Sequence, residues 1–498
     1  MKIPHLNRAR VFACILLLGL LAMTARNAVD PDLWWHLRTG QWIMETGSVP
    51  LADPFSFTRA GSPWVSHEWL SEVAFYEIWK YAGAAGLIIF SALVTTAGFV
   101  FLYLRCPGKS QGAAATALTL GALAAAPAWG VRPQMFTFAL ASLLLWLLER
   151  GQKRPRLLFW IPPLFLLWLN LHAGFAFGPA LLVAVGAGLV WEVAVGDTVW
   201  MEARPQLVRL GLLLLACLAM VPLNPSGAQL YRYPLDVVRS AGMRSLINEW
   251  FPPDFHQLHY LPVFLIWVAL LWALAGSRRR PKTRVLAPLF LTVLAALDAV
   301  RHIPLLVLTA TPIIAAAFTT FLSREEIPRT RPHLPSVRVR FAFRAAVLLL
   351  MAGFAVMRWT GLVHNQARTE AEQFPAQAVE FLRSHALPSR LFVYYDWGGY
   401  AIWKLYPEYR VFVDGRADLY GDDLLHQFQR AAQLQTGWRQ VLDQGGVQAV
   451  LVPPTCALAQ GLLLDTHWHA EYRDSQAILF LRALDRTETA EFVGNLPK

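Results

Sequence analysis

Charged residues are scarce in this chain: they make up 15% of its 498 residues, against about 25% in an ordinary soluble domain. The four cysteines are scattered, mostly in or beside apolar runs, which argues against a disulfide framework or a metal knuckle. The sequence also lacks a Gly-rich phosphate loop of the Walker type and the internal repeat that marks many transporters. Hydrophobic residues are abundant, at 56% with 20 tryptophans. This composition is typical of an integral membrane protein.

The formal net charge of the chain is +11. A nucleic-acid-binding protein would concentrate such charge on one folded face. Here the lysines and arginines instead stand in short clusters between apolar runs, as they do at the cytoplasmic ends of membrane helices. We therefore expect no nucleic-acid partner and use the basic clusters as markers of topology.

About eleven apolar runs come close to the roughly 20 residues that a bilayer-spanning helix needs. The first, "VFACILLLGLLAM", follows a basic amino terminus as in a signal peptide, but no small-residue cleavage site comes after it. We therefore expect it to be retained as the first helix. The predicted helix centres lie near residues 18, 93, 121, 141, 163, 184, 215, 268, 292, 312 and 351.

The basic clusters orient these helices. Lys2, Arg8 and Arg10 precede the first helix. Every second loop is also basic: Arg105 with Lys109, "ERGQKRPR", Arg204 with Arg209, "SRRRPKTR" and "SREEIPRTRPHLPSVRVRFAFR". Because basic loops stay in the cytoplasm, we expect a bacterial inner-membrane protein with a cytoplasmic amino terminus. The periplasmic side then receives the loop 29–80, short turns around Arg132 and His172, the loop 223–259, the turn "DAVRHIP" and everything after the last helix.

The chain changes character after the last predicted helix. Apolar runs shorten to strand length ("RLFVYY", "YRVFVD", "QAVLVPP", "QAILFLRA") and alternate with helical patterns such as "PAQAVEFLRSH" and "DDLLHQFQRAAQL". Strands that alternate with helices predict an α/β domain with a partly parallel sheet. The sequence thus divides into a membrane domain over 1–362, with a first periplasmic loop over 29–80, and a periplasmic α/β domain over 363–498.

The stretch "DPDLWWHLRTG" directly follows the first apolar run. Its tryptophans fit an interfacial belt, but Asp30 and Asp32 stand at the mouth of a helix, where a carboxylate is costly without a partner. A metal ion, an arginine or a substrate proton would supply that partner. We expect at least one of the two acids to be functional. For Asp53, His67 and Glu68, a role in a site and plain interfacial charge are equally open.

Other predicted outer segments carry side chains that could join this acid pair. Arg132 in "VRPQMF" could hold a phosphate or carboxylate, or be an ordinary interfacial arginine. Arg301 could neutralise Asp298, or hold an anionic donor together with His302. We expect Asn170 and His172 to cap a turn. Further candidates are His36, Glu249 and Asp254.

Two strand-end loops of the C-terminal domain also carry candidate binding residues. An acid with glycines at the end of a strand is a usual place for a ligand-binding loop in α/β folds; a plain turn with stacked aromatics is the alternative. The first loop, "YYDWGG", offers Tyr394, Tyr395, Asp396 and Trp397, and the second, "VDGRADLYG", offers Asp414, Arg416 and Asp418.

These segments resemble motifs of the GT-C superfamily, integral-membrane glycosyltransferases that use polyprenyl-phosphate-linked sugar donors. "DPDLWWHLRTGQWIMETGSVP" looks like the superfamily's first-loop motif, in which an acid is followed by aromatics. "YYDWGGYAIWKLYPEYRVFVDGRADL" is similar to the Trp-Trp-Asp-Tyr-Gly region of oligosaccharyltransferase catalytic subunits, which recognises the acceptor peptide. The order of parts also resembles the bacterial branch of protein mannosyltransferase-like and lipid A sugar transferase-like proteins.

The resemblance implies both a reaction and roles for residues. A sugar would pass from a polyprenyl-phosphate carrier to a periplasmic glycan, lipid or protein, with inversion at the anomeric carbon. Asp30 or Asp32 would be the catalytic acid or base, and Asp396 with Trp397 would lie near the acceptor. Relatives carry an Asp-x-Asp metal motif in a later outer loop, but the corresponding segment here reads "AWGVRP". Asp30 and Asp32 are then the candidate ligands of a divalent metal, Mg²⁺ or Mn²⁺.

The physical needs of such a transfer match the candidate residues. A carboxylate can take the proton of the acceptor as a general base, and cationic side chains or a metal can stabilise the departing phosphate. We predict that Arg132, Arg301 and His302 bind the donor phosphate. We predict that the acceptor contacts Tyr395, Asp396, Trp397, Asp414 and Arg416.

Two other classes of function remain open from the sequence. A non-catalytic membrane protein that assembles, flips or binds envelope polysaccharide would tolerate replacement of the outer acids. A secondary transporter would need ionisable residues inside its spans, and the middles of the predicted helices are almost free of them.

Overall fold

The computed structural model describes residues 8–107, 110–277, 280–324 and 336–483. The membrane part contains α1 Arg8–Thr24, α2 Leu33–Thr46, α3 Trp69–Arg105, α4 Gln111–Ala125, α5 Gln134–Gly151, α6 Ile161–Leu171, α7 Phe177–Ala194, α8 Trp200–Met220, α9 Tyr233–Arg239, α10 Ala241–Leu246, α11 Leu261–Ala275, α12 Thr283–Asp298, α13 Ile303–Arg324 and α14 Val337–Gln373. The C-terminal part contains β1 Arg390–Val393, β2 Arg410–Val411, β3 Ala449–Val452, β4 Trp468–Arg473 and β5 Ile478–Arg482, with α15 Ala376–Ser384, α16 Gly398–Leu405, α17 Ala417–Ala432, α18 Trp438–Gln444 and α19 Ala457–Leu463.

Long apolar helices dominate the membrane part. Six helical stretches in the described residues are long and apolar enough to cross a membrane: Trp69–Arg105, Ala173–Ala194, Trp200–Leu223, Leu258–Ala275, Val300–Leu322 and Arg338–Gln373. All eleven predicted centres lie within helices. The predicted fold class, a polytopic α-helical membrane protein with a C-terminal sheet domain, is therefore confirmed. Parts of the basic clusters used for orientation lie outside the described residues: Lys2, Lys109, Arg278, Arg279 and 325–335.

The predicted first loop contains an ordered helix, α2. This helix ends at Gly47, whose φ of 69° is the left-handed conformation that favours glycine at a helix end. Its buried face includes His36, and its Gly40 packs against the backbone of Glu72 in α3, where a Cβ would collide. Close packing against α3 therefore fixes the turn that holds Asp30 and Asp32.

The C-terminal domain carries a five-stranded sheet in the order β2-β1-β3-β5-β4. Strands β2, β1 and β3 are parallel, whereas β5 is antiparallel to both β3 and β4, so the predicted partly parallel sheet is confirmed. The strand β4 was not predicted because it is an edge strand with mostly exposed residues, and it lacks an apolar run. Helix α14 continues through residue 363 to Gln373 and leads directly into this domain.

The C-terminal domain packs onto α2, so the two parts share one hydrophobic core. Trp34 makes edge-to-face contacts with Phe374 and Tyr400, at centroid distances of 5.4 and 5.0 Å. Gly399 lies against the carbonyl oxygen of Pro31, where a Cβ would stand only 2.7 Å away. This docking places the strand ends of the sheet beside the turn that carries Asp30 and Asp32.

A buried ion cluster joins the same two parts. Arg416, 1% exposed, pairs with Asp53 of the first loop at 2.8 Å and with Asp414 at 2.7 Å. Its guanidinium also lies over the ring of Trp64, with 4.6 Å to the centroid. Asp53 and Arg416 thus clamp the first loop to the C-terminal domain.

Candidate active site

A cavity of about 630 Å³ lies where the first loop, the segment between α8 and α11, and the C-terminal domain meet. The residues along it include Asp30, Asp32, His36, His67, Glu68, Arg132, His172, Tyr233, Glu249, Trp250, Arg301, Tyr395, Asp396, Arg416 and Asp418. Predicted site residues from widely separated segments therefore share one space. Several other predicted candidates do not line this cavity: Asp53, Asp254, Asp298, His302, Trp397 and Asp414.

The acid pair faces one arginine. Asp30 Oδ2 is 3.4 Å from Arg132 Nη1, and Asp32 Oδ2 is 3.7 Å from Arg132 Nη2. Glu249 makes a short ion pair with the same guanidinium. Asp32 is the more open acid, with 30% of its side chain exposed against 12% for Asp30. Trp35 Nε1 donates to Asp32 Oδ1 at 3.1 Å, which orients the carboxylate with its Oδ2 toward Arg132.

The pKa values of both acids, Asp30 and Asp32, are raised. Burial raises the pKa of Asp32 to about 8, the neighbouring Asp30 carboxylate adds to the shift, and Arg132 opposes it. The pKa of Asp30 is raised as well, mainly by burial. A carboxyl group with a pKa near neutral pH is suited to accept a proton during a reaction.

Three histidines surround Glu68 beside this pair. The Nε2 atoms of His67, His36 and His172 lie 3.2, 3.5 and 3.5 Å from its carboxylate oxygens. Both ring nitrogens of His67 face acceptors, because Nδ1 is 3.0 Å from the Val65 carbonyl oxygen. Burial is the largest single influence on the pKa of His67 and lowers it, but the charge and hydrogen bond of Glu68, together with the charge of Asp418 and the Val65 carbonyl group, raise that pKa above its usual value. Burial lowers the pKa of His36 to about 3 and that of His172 to about 4, which favours the neutral form of both rings beside Glu68.

Arg301 stands at another edge of the cavity without a carboxylate partner in the described residues. The sequence left open whether Asp298 neutralises it, but Asp298 pairs with Arg244 instead. The guanidinium of Arg301 lies over the ring of Trp250, at 4.4 Å from the centroid. Its charge helps to lower the pKa of Glu249, but no ion pair engages the guanidinium among the described residues, so its charge can also act on an anion in the cavity.

An apolar groove of about 370 Å³ adjoins the cavity at this edge. Its walls come from membrane helices and include Thr95, Ala124, Phe138, Phe177, Ala180, Ala295 and Leu305. Arg132, Glu249, Trp250 and Arg301 line both spaces. His302 lines only the groove, and its Nδ1 faces the Ala295 carbonyl oxygen at 3.1 Å. The polar cavity and the apolar groove therefore adjoin, and Arg132 and Arg301 lie where they meet.

The C-terminal domain forms the opposite wall. The Tyr395 hydroxyl has no hydrogen-bond partner in the described residues, and Asp396 lines the cavity without an ion pair among them. Gly415 lies so close to Asp32 that a Cβ there would overlap the carboxylate. By contrast, Trp397 is buried and donates to the Gln373 carbonyl oxygen at 2.9 Å, so its indole N–H is already engaged.

The acid pair, as arranged, does not fit a divalent metal. A metal ion would need carboxylate oxygens free to coordinate it, whereas those of Asp30 and Asp32 face the guanidinium of Arg132. Over the described ranges, no group of three or more His, Cys, Asp or Glu side chains could hold a metal ion.

Comparison with known proteins places this geometry in a known architecture. No protein-family model and no curated protein sequence matches the chain. Among solved structures, it is similar to the archaeal oligosaccharyltransferase AglB from Archaeoglobus fulgidus, in complex with an inhibitory peptide and a dolichol-phosphate. The TM-score is 0.56 at 13% identity, over 89% of this chain and 69% of that one. It is also similar to ArnT from Cupriavidus metallidurans bound to undecaprenyl phosphate, with a TM-score of 0.50 at 14% identity over 94% and 97% of the two chains.

The chain has the GT-C fold. The predicted resemblance is therefore confirmed at the level of architecture, and the chain is a multi-pass membrane protein.

Within this GT-C fold, sequence reasoning missed or undervalued part of the cavity wall. His172 caps its turn as expected, accepting from the Gly174 N–H at 3.0 Å, but it also faces Glu68. Tyr233 was missed altogether, although its ring contacts that of His67 in a tilted arrangement, with 4.3 Å between centroids. No local pattern marks Tyr233, because only the packing of distant segments brings it to the cavity.

Proposed function

We propose that this protein is a membrane glycosyltransferase that moves a sugar from a polyprenyl-phosphate-linked donor to a periplasmic glycan, lipid or protein. The GT-C fold supports this class of reaction. The dolichol-phosphate bound to AglB and the undecaprenyl phosphate bound to ArnT support the type of carrier. In this proposal the protein lies in the bacterial inner membrane, with the cavity on the periplasmic side.

The position of Arg301 is the observation that carries the proposal. A polyprenyl-phosphate donor needs an apolar channel for its chain and a cation where that channel meets a polar chamber. Arg301 lies at that junction and has no carboxylate partner among the described residues. The donor phosphate would bind Arg301, its chain would occupy the apolar groove, and the sugar would extend toward Asp32.

The reaction follows from this placement. The acceptor nucleophile attacks the anomeric carbon, on the face opposite the phosphate, and the new glycosidic bond forms with inversion. The bond from that carbon to the phosphate oxygen breaks, and its electron pair leaves with the polyprenyl phosphate. Asp32 takes the proton of the acceptor as a general base, and Arg301 stabilises the charge on the leaving phosphate. Tyr395 and Asp396 would position the acceptor at the opposite wall.

Arg301→Ala tests the donor site. We expect the rate of transfer to fall by about 10²-fold or more, because the leaving phosphate loses a fixed cation. Arg301→Lys keeps a positive charge and should retain part of the wild-type rate. The measurement is release of undecaprenyl phosphate from undecaprenyl-phosphate-linked sugars by purified protein in nanodiscs, with cell-envelope extract as acceptor.

Arg244→Ala is the matched control, since Arg244 forms an exposed ion pair with Asp298. Transfer by this variant should equal that of the wild type. If Arg301→Ala turned over as fast as the control, the donor site would lie elsewhere. If the wild type transferred none of the sugars offered, a non-catalytic role in polysaccharide assembly or binding would replace the proposal.

The rate of transfer should rise with pH. Because the pKa of Asp32 is raised to about 8, the deprotonated fraction of this base grows as the pH rises from 7 to 9. We expect the rate under saturating donor to rise with a midpoint near pH 8 and to level off above about pH 9, and Asp32→Glu to shift the midpoint. A flat profile between pH 6 and 9, with transfer as the slow step, would contradict the assignment of Asp32 as the base.

A further inference from the structure

Arg132 is enclosed by oxygen atoms on several sides. Its Nη atoms face Asp30, Asp32 and Glu249, and its Nε donates to the side-chain oxygen of Gln134 at 2.8 Å. The side chain is only 15% exposed. Three carboxylates from two distant segments therefore converge on one guanidinium.

Three converging carboxylates are the donor set that a hard divalent cation would use. Here the carboxylates are already compensated by a cation that belongs to the chain. A metal ion in this place would have to displace the guanidinium and would meet its positive charge at close range. The segment "AWGVRP" contributes Arg132 and no acid. This turn therefore supplies a positive charge from the protein rather than a carboxylate ligand for a metal ion.

The carboxylate of Glu68, another candidate metal ligand, is also already surrounded by side chains of the protein. The carboxylate of Glu68 faces three imidazole rings, at 3.2 to 3.5 Å. In the part of the chain that the structure describes, no other cluster of His, Cys, Asp or Glu could hold a metal ion either.

We propose that Arg132 is the fixed cation of this site and that the protein holds Asp30 and Asp32 in place without a divalent metal. Arg132 is then a positioning residue, which acts through the acid pair. A guanidinium held by three carboxylates is oriented before substrate binds, and such preorganised charge needs no rearrangement during reaction. Transfer by the wild type, which rests on the proposed function, should be the same in EDTA and in Mn²⁺.

Binding of Mn²⁺ tests the inference without relying on activity. Purified protein is stripped with EDTA, exchanged into metal-free buffer and titrated with Mn²⁺, with free Mn²⁺ followed by its electron paramagnetic resonance signal. We expect no tight binding by the wild type. Arg132→Ala should bind one Mn²⁺ per chain, since it leaves three carboxylates without their cation, and its melting temperature should rise by about 2–4 °C on binding.

Two variants serve as controls. Arg132→Lys keeps a cation in place and, like the wild type, should not bind Mn²⁺ tightly. Arg244→Ala removes an arginine that faces a single carboxylate and should not bind Mn²⁺ either. If Arg132→Ala does not fold, Arg132→Gln takes its place. In the transfer assay, the rate of Arg132→Ala should be about 10²-fold below that of the wild type, and added Mn²⁺ should restore part of that rate.

The outcomes separate this inference from the proposed function. Tight Mn²⁺ binding by the wild type, or loss of transfer in EDTA with recovery in Mn²⁺, would overturn it. A folded Arg132→Ala or Arg132→Gln that binds no Mn²⁺ would overturn it too. If no donor is turned over but only the variants that remove the cation bind Mn²⁺, the proposed function fails and the role of Arg132 stands.

Discussion

The Asp32→Asn variant is expected to lose about 10²- to 10⁴-fold in the rate of sugar transfer, the usual contribution of a general base. Asn preserves the shape of the side chain and can still accept from Trp35 Nε1, which bonds Asp32 at 3.1 Å, but it cannot take a proton. Donor binding should change little, because Arg301 and the apolar groove are untouched. The measurement is release of undecaprenyl phosphate at saturating donor, with melting temperature as the check on folding.

Asp30→Asn provides the comparison. Asp30 is less exposed than Asp32, and its Oδ1 accepts from the Asp32 backbone N–H at 3.1 Å, so its role is to shape the turn and hold Arg132. We therefore expect a smaller loss than for Asp32→Asn. The reverse order would assign the base role to Asp30. Wild-type rates for both variants would leave the proposed reaction without its base.

Arg416→Met should be the most destabilising of the substitutions considered. It removes the cation shared by Asp53 and Asp414 and leaves both carboxylates buried without it, which costs about 3–5 kcal/mol for a buried pair. Because Arg416 joins the first loop to the C-terminal domain, the variant should melt earlier and release that domain to protease. Tryptophan fluorescence during heating and limited proteolysis in detergent measure both effects.

Arg368→Met is the matched control for this variant. Arg368 forms an exposed ion pair with Glu372 on α14, with 80% and 59% of the side chains exposed, and such pairs contribute about 0–1 kcal/mol. The melting temperature of Arg368→Met should therefore stay close to that of the wild type. If Arg416→Met melted together with the control, the buried cluster would not be what holds the two parts together.

The fold was largely readable from the sequence because apolar runs of spanning length and short β-rich runs are local signals. Every predicted helix centre and four of the five strands have such a signal. The strand β4 has none, since its residues are mostly exposed. The helix α2 was also unmarked, because its buried face of Trp34, Trp35 and His36 looks like an interfacial belt until α3 is seen packed against it.

The site was readable only in part. Topology alone brings Asp30, Asp32, Arg132 and Arg301 to one face, so their shared location was predictable. Their pairings were not: Asp298 pairs with Arg244 rather than with Arg301, and Glu68 contacts His36 and His172 from two distant segments in addition to the adjacent His67. These choices depend on helix packing over long sequence separations, for which a single sequence offers no local pattern. The acceptor roles predicted for Trp397, Asp414 and Arg416 stay predictions, and the structure engages all three in contacts within the protein.

The order of strands in the sheet has a consequence for how the protein is made. Strand β5 is the last strand in the described residues, yet it lies between β3 and β4, so the sheet cannot close until residue 482 has left the ribosome. By then the acid pair and the helices that line the apolar groove have been synthesised. Since domains fold in the order in which they emerge, the part proposed to bind the donor is made before the wall proposed to bind the acceptor. If the proposed function holds, a message cut short within the last strands would yield a membrane part that keeps the donor site but lacks the wall proposed for the acceptor.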